Sequence, residues 1–207
     1  MQIAGIYVIT DQTLLPGRSH ARIAQAALEG GAKVIQLRDK SAAPAELIQV
    51  GRIIRKITAE SGALFIVNDS LEAAIACDAD GLHVGQGDIP AREIRDKLRG
   101  KILGVSVATV EDAVRARDDG ADYVGVGPVY QTSTKTDAGP VTGIEMIRSV
   151  REACGLPVVA IGGINEGNLP EIARSGADSA AVISVVVCAP DMSEATHKLV
   201  QIWEESR

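Results

Sequence analysis

"DDGADYVGVG", Asp118 to Gly127, is the stretch on which the fold turns. It reads as a helix end, a small-residue turn and an apolar strand. The phrase recurs as "GGAKVIQLR" from Gly30, "CDADGLHVG" from Cys77 and "RSGADSAAVIS" from Arg174. Ala32, Ala79, Ala121 and Ala177 hold equivalent places, 47, 42 and 56 residues apart. Each interval has room for two strand–helix units of roughly 25 residues.

The units between are present. Apolar runs rich in β-branched residues span 3–10, 34–38, 64–68, 81–84, 102–107, 123–127, 157–161 and 180–184. Helical patterns separate them. Leu47, Val50, Gly51, Ile54 and Ile57 share one face; so do Ile144, Ile147 and Val150, and Met192, Ala195, Leu199 and Ile202. Pro44 and Pro90 suit first helical turns, and Thr142 with Glu145 has capping-box spacing. Eight strands, each followed by a helix, predict an α/β fold, a (β/α)8 TIM barrel in a single domain over 1–207. An open doubly wound sheet explains the regular units less well, because its strand order must reverse.

Composition agrees. Of 207 residues 46% are apolar but only 2% aromatic, so Val, Ile, Leu, Ala and Gly must build the core. The net charge of −6, without a basic cluster, argues against a nucleic-acid partner. Cys77, Cys154 and Cys188 have no metal-finger spacing and read as reduced, mostly buried thiols of a cytoplasmic protein. "MQIAGIYVIT" lacks the features of a signal peptide. "VISVVVCA" is too short for a membrane helix and reads as a strand running into a loop.

In such a barrel, chemistry sits at the C-terminal strand ends. Those ends supply Thr10 and Asp11; Gln36, Arg38 and Lys40; Asn68 and Asp69; His83, then Gln86 and Asp88; Ser106; Gly162 and Gly163; and Ser184. Arg38 and Lys40 alternate and so point the same way, suited to phosphate oxygens. Asp69 and Asp88 follow adjacent strands and could share one Mg2+, or each could cap the following helix. "IGGI" (161–164) and "VISVV" (182–186) suggest backbone N–H groups aimed at a second anion.

The long loop "GPVYQTSTKTDAGP" (127–140) offers Thr132, Thr134 and Lys135. Its length marks it as functional. His20 and His197 fall on helical segments and read as solvated. His83 reads as a core histidine or a catalytic one. Neither a nucleophile–histidine set nor a zinc spacing is present.

These residues together resemble the thiamine phosphate synthase family over essentially the whole chain. The motifs are "YVITD" (7–11), "QLRDK" (36–40), "VNDS" (67–70), "GLHVGQGD" (81–88), "GPVYQTSTKTDAGP" (127–140), "AIGGI" (160–164) and "AVIS" (181–184). The resemblance implies a transferase that joins hydroxymethylpyrimidine diphosphate to hydroxyethylthiazole phosphate, releasing pyrophosphate. It implies that Arg38, Lys40 and Lys135 contact the diphosphate, with Asn68 and Ser106 on that side and Asp69 and Asp88 on Mg2+. It places Gln36 near the pyrimidine, and Thr132, Thr134, Gly163, Ile183 and Ser184 at the thiazole phosphate. It assigns catalytic roles to Arg38, Lys40, Ser106 and Lys135. The partners are small molecules, with no nucleic acid or membrane, and a homo-oligomer is compatible. Ala108 stands where the family often has His, and Gln131 where Pro is frequent. The rival readings are a thiazole tautomerase, a non-catalytic thiamine phosphate sensor and a sugar-phosphate barrel enzyme.

Overall fold

The computed structural model describes residues 3–134 and 139–207, so Lys135 lies outside the described residues. The first half runs β1 (Gly5–Thr10), α1 (His20–Glu29), β2 (Val34–Leu37), α2 (Pro44–Ser61), β3 (Leu64–Asn68), α3 (Leu71–Ala76), β4 (Gly81–Val84) and α4 (Ala91–Lys97). The second runs β5 (Ile102–Val107), α5 (Val110–Asp118), β6 (Tyr123–Val126), α6 (Glu145–Cys154), β7 (Val158–Ile161), α7 (Leu169–Arg174), β8 (Ser179–Val182), α8 (Ser184–Val187) and α9 (Met192–Glu205). All neighbouring strands are parallel, and β8 returns to β1 with Gly5 opposite Ser179, which closes the barrel.

The recurring phrase has a structural cause. Its Asp residues precede β4, β6 and β8. Asp80 Oδ2 accepts from Phe65 N at 2.8 Å, Asp122 Oδ2 from Leu103 N at 2.8 Å and Asp178 Oδ2 from Val158 N at 2.9 Å. Each carboxylate thus satisfies a backbone donor at or near the start of the preceding strand. Each also receives an arginine from a helix: Arg55 at 2.7 Å, Arg95 at 2.8 Å and Arg151 at 2.5 Å. The first copy of the phrase has Lys33 at this place and lacks the carboxylate. The N-terminal rim is therefore stitched ahead of β4, β6 and β8 by one device.

Side chains at alternate strand positions fill the interior, and glycines make room for the few large ones. A Cβ at Gly104 would fall 2.1 Å from Tyr123 Cζ, and one at Gly125 would fall 3.2 Å from His83 Cε1. Tyr7 and Tyr123 are among the largest fully buried side chains. Burying an aromatic hydroxyl requires a partner, and the two hydroxyls meet at 3.1 Å.

Helix starts follow local chemistry. Ser19, Ser70, Thr109 and Asp191 accept from backbone N–H groups of their first turns. Pro44 opens α2 as expected, whereas Pro90 occupies the N-cap of α4. Ser70, not Asp69, caps α3, and Asp88 does not cap α4. The expected capping box at Thr142 is absent. Gly143 turns the chain with a φ of 78°, so Thr142 Oγ1 donates to Pro128 O and α6 starts behind Ile144. "VISVVVCA" also differs from the expected strand running into a loop: after β8 the chain makes one helical turn, α8. Its Val186 and Val187 are buried, which favours a turn that tucks them against the core.

Candidate functional site

The C-terminal strand ends surround one cavity of about 900 Å³, the size of a small-molecule site. Arg38, Lys40, Asn68, Asp69, Asp88 and Ser106 line one side; Thr132, Thr134, Gly163, Ile183 and Ser184 line the other. Ala108, Gln86 and Gln131 also face it. Gln36 does not reach the lining. It is 2% exposed inside the barrel, because its Nε2 is drawn inward to Tyr7 OH at 2.7 Å.

The first side is built from side chains. Arg38 Nη1 lies 3.5 Å from Asp11 Oδ2, and Asp11 Oδ1 is fixed by Thr13 N and Oγ1 at 2.9 and 2.6 Å. Between the two cations, Asp39 turns away from the cavity. Its Oδ2 meets His20 Nε2 at 3.1 Å and accepts from Gln12 Nε2 at 3.0 Å, while Oδ1 accepts from Ser41 and Ala42. Burial opposes ionisation of Asp39, but the hydrogen bonds from Ser41, His20 and Ala42 outweigh it and hold the carboxyl at about 2.

His20 is thus not solvated, as its helical position suggested. It is 2% exposed and bridges Thr10 Oγ1, at 2.7 Å, to Asp39. The bridge ties the end of β1 to the loop that carries Arg38 and Lys40. No pattern local to α1 announces it, because its partners come from two other segments. His197 is exposed, as expected.

Asp69 and Asp88 come together on the cavity wall. Burial first, then the charge of Asp88 and a hydrogen bond to it, push the Asp69 carboxyl up to about 6, against the pull of Lys40 and Arg38. Two carboxylates this close repel unless a proton or a cation stands between them. Asp69 also has a φ of 62°, a left-handed conformation uncommon for residues other than glycine, held by Asp69 N donating to His83 O at 2.9 Å. Asp88 Oδ2 is oriented by Gly85 N at 2.7 Å. The pair fits Mg2+, which takes one or two carboxylates and completes its shell with phosphate oxygens and water. Among the described residues no group of three or more His, Cys, Asp or Glu converges on one point, as an all-protein metal cage would need.

The second side is mainly backbone. Gly162 and Gly163 have φ of 100° and 68°. A Cβ on Gly163 would stand 2.5 Å from Gln131 O, so the turn admits no side chain while the long loop packs against it. That loop is held by Val129 N and Tyr130 N donating to Ile161 O and Gly162 O, at 2.9 and 3.0 Å. Thr134 Oγ1 donates to Ser184 Oγ at 3.4 Å, and Thr134 N to Thr132 Oγ1 at 3.3 Å. Both threonine hydroxyls and the first residue of α8 therefore gather at one corner.

The chain matches the model of the family described as thiamine monophosphate synthase over residues 6–186. The chain belongs to that family. It is 51% identical over 203 residues to a thiamine-phosphate synthase of Methanospirillum hungatei, covering 98% of each chain. A thiamine-phosphate synthase of Methanoregula boonei is also 51% identical, over 94% of this chain and 90% of its own. Among solved structures, the thiamine phosphate pyrophosphorylase of Pyrococcus furiosus superposes with a TM-score of 0.90 at 41% identity, covering 98% of this chain and 96% of that one. The thiamine monophosphate synthase family thus accounts for the whole described barrel, not for one motif of it.

The family motifs identified the strand ends but not what supports them. Tyr7, Tyr123 and the His20–Asp39 bridge, which lie behind those ends, were not singled out from the sequence. The available signal was the rarity of aromatics: a chain with three tyrosines and one phenylalanine puts two of those tyrosines at the barrel centre.

Proposed function

We propose that the cavity condenses hydroxymethylpyrimidine diphosphate with hydroxyethylthiazole phosphate to give thiamine phosphate and pyrophosphate. As a member of its family the chain is an enzyme, a transferase of thiamine biosynthesis acting on small molecules. The observation that carries the residue assignment is the cavity's division into a side built from charged and polar side chains and a side built mainly from backbone and hydroxyls.

Arg38 and Lys40 take the diphosphate, with Asn68 and Ser106 beside it; Lys135, outside the described residues, joins them in this proposal. Asp69 and Asp88 would hold Mg2+, which when bound would supply positive charge beside the leaving diphosphate. Thr132, Thr134, Ser184 and backbone groups at Gly163 and Ile183 take the thiazole phosphate. The C–O bond to the diphosphate breaks first, leaving a pyrimidine-methyl cation that the ring amino group stabilises. The thiazole nitrogen then forms the new C–N bond. No protein nucleophile is required, and the side chains act by stabilising the leaving group and aligning the rings. In this reading the loop that carries Thr132, Thr134 and Lys135 serves both substrates and keeps water from the cation.

The acidic chain acts in the cytoplasm in this reading. No described helix is long and apolar enough to cross a membrane. The test is to incubate purified protein with both substrates and Mg2+ and measure thiamine phosphate. Product that depends on both substrates and on Mg2+ is expected. Ligand binding without product would leave a sensor, and turnover of the thiazole alone would leave a tautomerase.

A further inference from the structure

Five polar side chains from five strands form a continuous line through the barrel. Gln36 Nε2 donates to Tyr7 OH at 2.7 Å; Tyr7 OH meets Tyr123 OH at 3.1 Å. Tyr123 OH meets His83 Nδ1 at 2.9 Å, and His83 Nε2 meets Ser106 Oγ at 2.9 Å. The line begins at a buried amide and ends at a hydroxyl in the cavity wall.

Its direction follows from donor counting. An amide N–H can only donate, so Tyr7 oxygen accepts from Gln36. The Tyr7 proton then goes to Tyr123, and the Tyr123 proton to His83 Nδ1. In the neutral ring the one proton of His83 is then on Nε2 and goes to Ser106 Oγ. Ser106, having accepted, keeps its own proton for a ligand. Burial raises both tyrosines well above their ordinary range, so the hydroxyls keep their protons. The line occupies built space: Gly104 admits Tyr123, and Gly125 admits His83.

We propose that Tyr7 and Tyr123 are positioning residues that, through His83, set Ser106 as a one-way hydrogen-bond donor facing the diphosphate. This rests on the diphosphate assignment made above. The direction matters for an anion. Were the line reversed, Ser106 would spend its proton on His83 and turn lone pairs toward phosphate oxygens. Gln36, which does not line the cavity, thus acts on the site from a distance.

The test reads the ring nitrogens of His83 by NMR in the ligand-free protein at pH 8, assigned by comparison with His83→Gln. A proton on Nε2 and a bare Nδ1 are expected in the wild type. Tyr123→Phe should release the preference and populate the Nδ1–H form. It should also raise KM for the pyrimidine diphosphate about tenfold, the loss expected for one hydrogen bond to a charged group, while KM for the thiazole phosphate stays within about twofold. Tyr7→Phe, one link further away, should shift the tautomers less. A wild-type Nδ1 that carries a proton would overturn the proposal. So would a Tyr123→Phe protein that is folded yet unchanged in tautomer, or one that loses both substrates equally. The tautomer is read without substrates: a wild type with the expected ring state but no product would sink the function assignment and leave the hydrogen-bond line standing.

Discussion

The two rims of the barrel use the same residue types to opposite ends. At the N-terminal rim, Asp80, Asp122 and Asp178 each receive an arginine and a strand N–H. Each negative charge is answered locally, and the arrangement repeats. At the C-terminal rim, Asp69 stands against Asp88, and Arg38 and Lys40 line the same cavity side. There the two acids crowd each other beside the two cations, and nothing repeats. Paired charge holds a fold at modest gain; crowded charge in a cleft marks a place that a ligand can complete. Substitutions at the two rims should therefore separate activity from stability.

The largest effect is expected from Asp69→Asn, which removes the charge but tolerates the positive φ. Turnover at saturating substrates should fall about 100- to 1000-fold, and raised Mg2+ should not restore it. Without metal, its melting temperature should exceed that of the wild type near pH 7.5. The sign follows from the raised pKa: ionised Asp69 is costlier in the folded chain than in the unfolded one. As pH falls through about 6 the wild-type carboxyl takes up its proton and the advantage of D69N should narrow. A lower melting temperature for D69N across that range would make Asp69 a stabilising residue like those of the opposite rim.

Lys40→Met should come next, raising KM for the pyrimidine diphosphate roughly 10- to 100-fold with little change for the thiazole phosphate. Equal changes for both substrates would merge the two sides of the cavity into one. At the other rim, Asp122→Ala leaves Leu103 N without its side-chain acceptor. It should cost about 1–3 kcal/mol in denaturant unfolding, with both KM values unchanged. A selective KM change would break the division between rims. The smallest effect is expected from Thr134→Val, about a three- to tenfold rise in KM for the thiazole phosphate alone.

Much of this was legible in advance because it is local or periodic. The recurring small-residue phrase marked every second strand, and alternation within strands told which side chains share a face. Arg38, Lys40, Asp69, Asp88 and Ser184 were identified as strand-end residues, and all line the cavity. Gln36 belongs to the same stripe, yet the fold turns its amide toward Tyr7. Alternation gives a side, not a depth. Thr142 fails as a cap because Gly143 bends the chain first, a matter of two dihedral angles that spacing does not encode.

The sequence by itself determined the eight-unit barrel, the functional rim and the residue types available there, since these follow from chain-local periodicity and turn chemistry. Only the tertiary structure decided which of those residues meet. The closeness of Asp69 and Asp88, the His20–Asp39 bridge and the line from Gln36 to Ser106 all join separate strands and loops. Their partners are chosen by barrel closure and by the space that Gly104 and Gly125 leave, and no single stretch of chain contains that information.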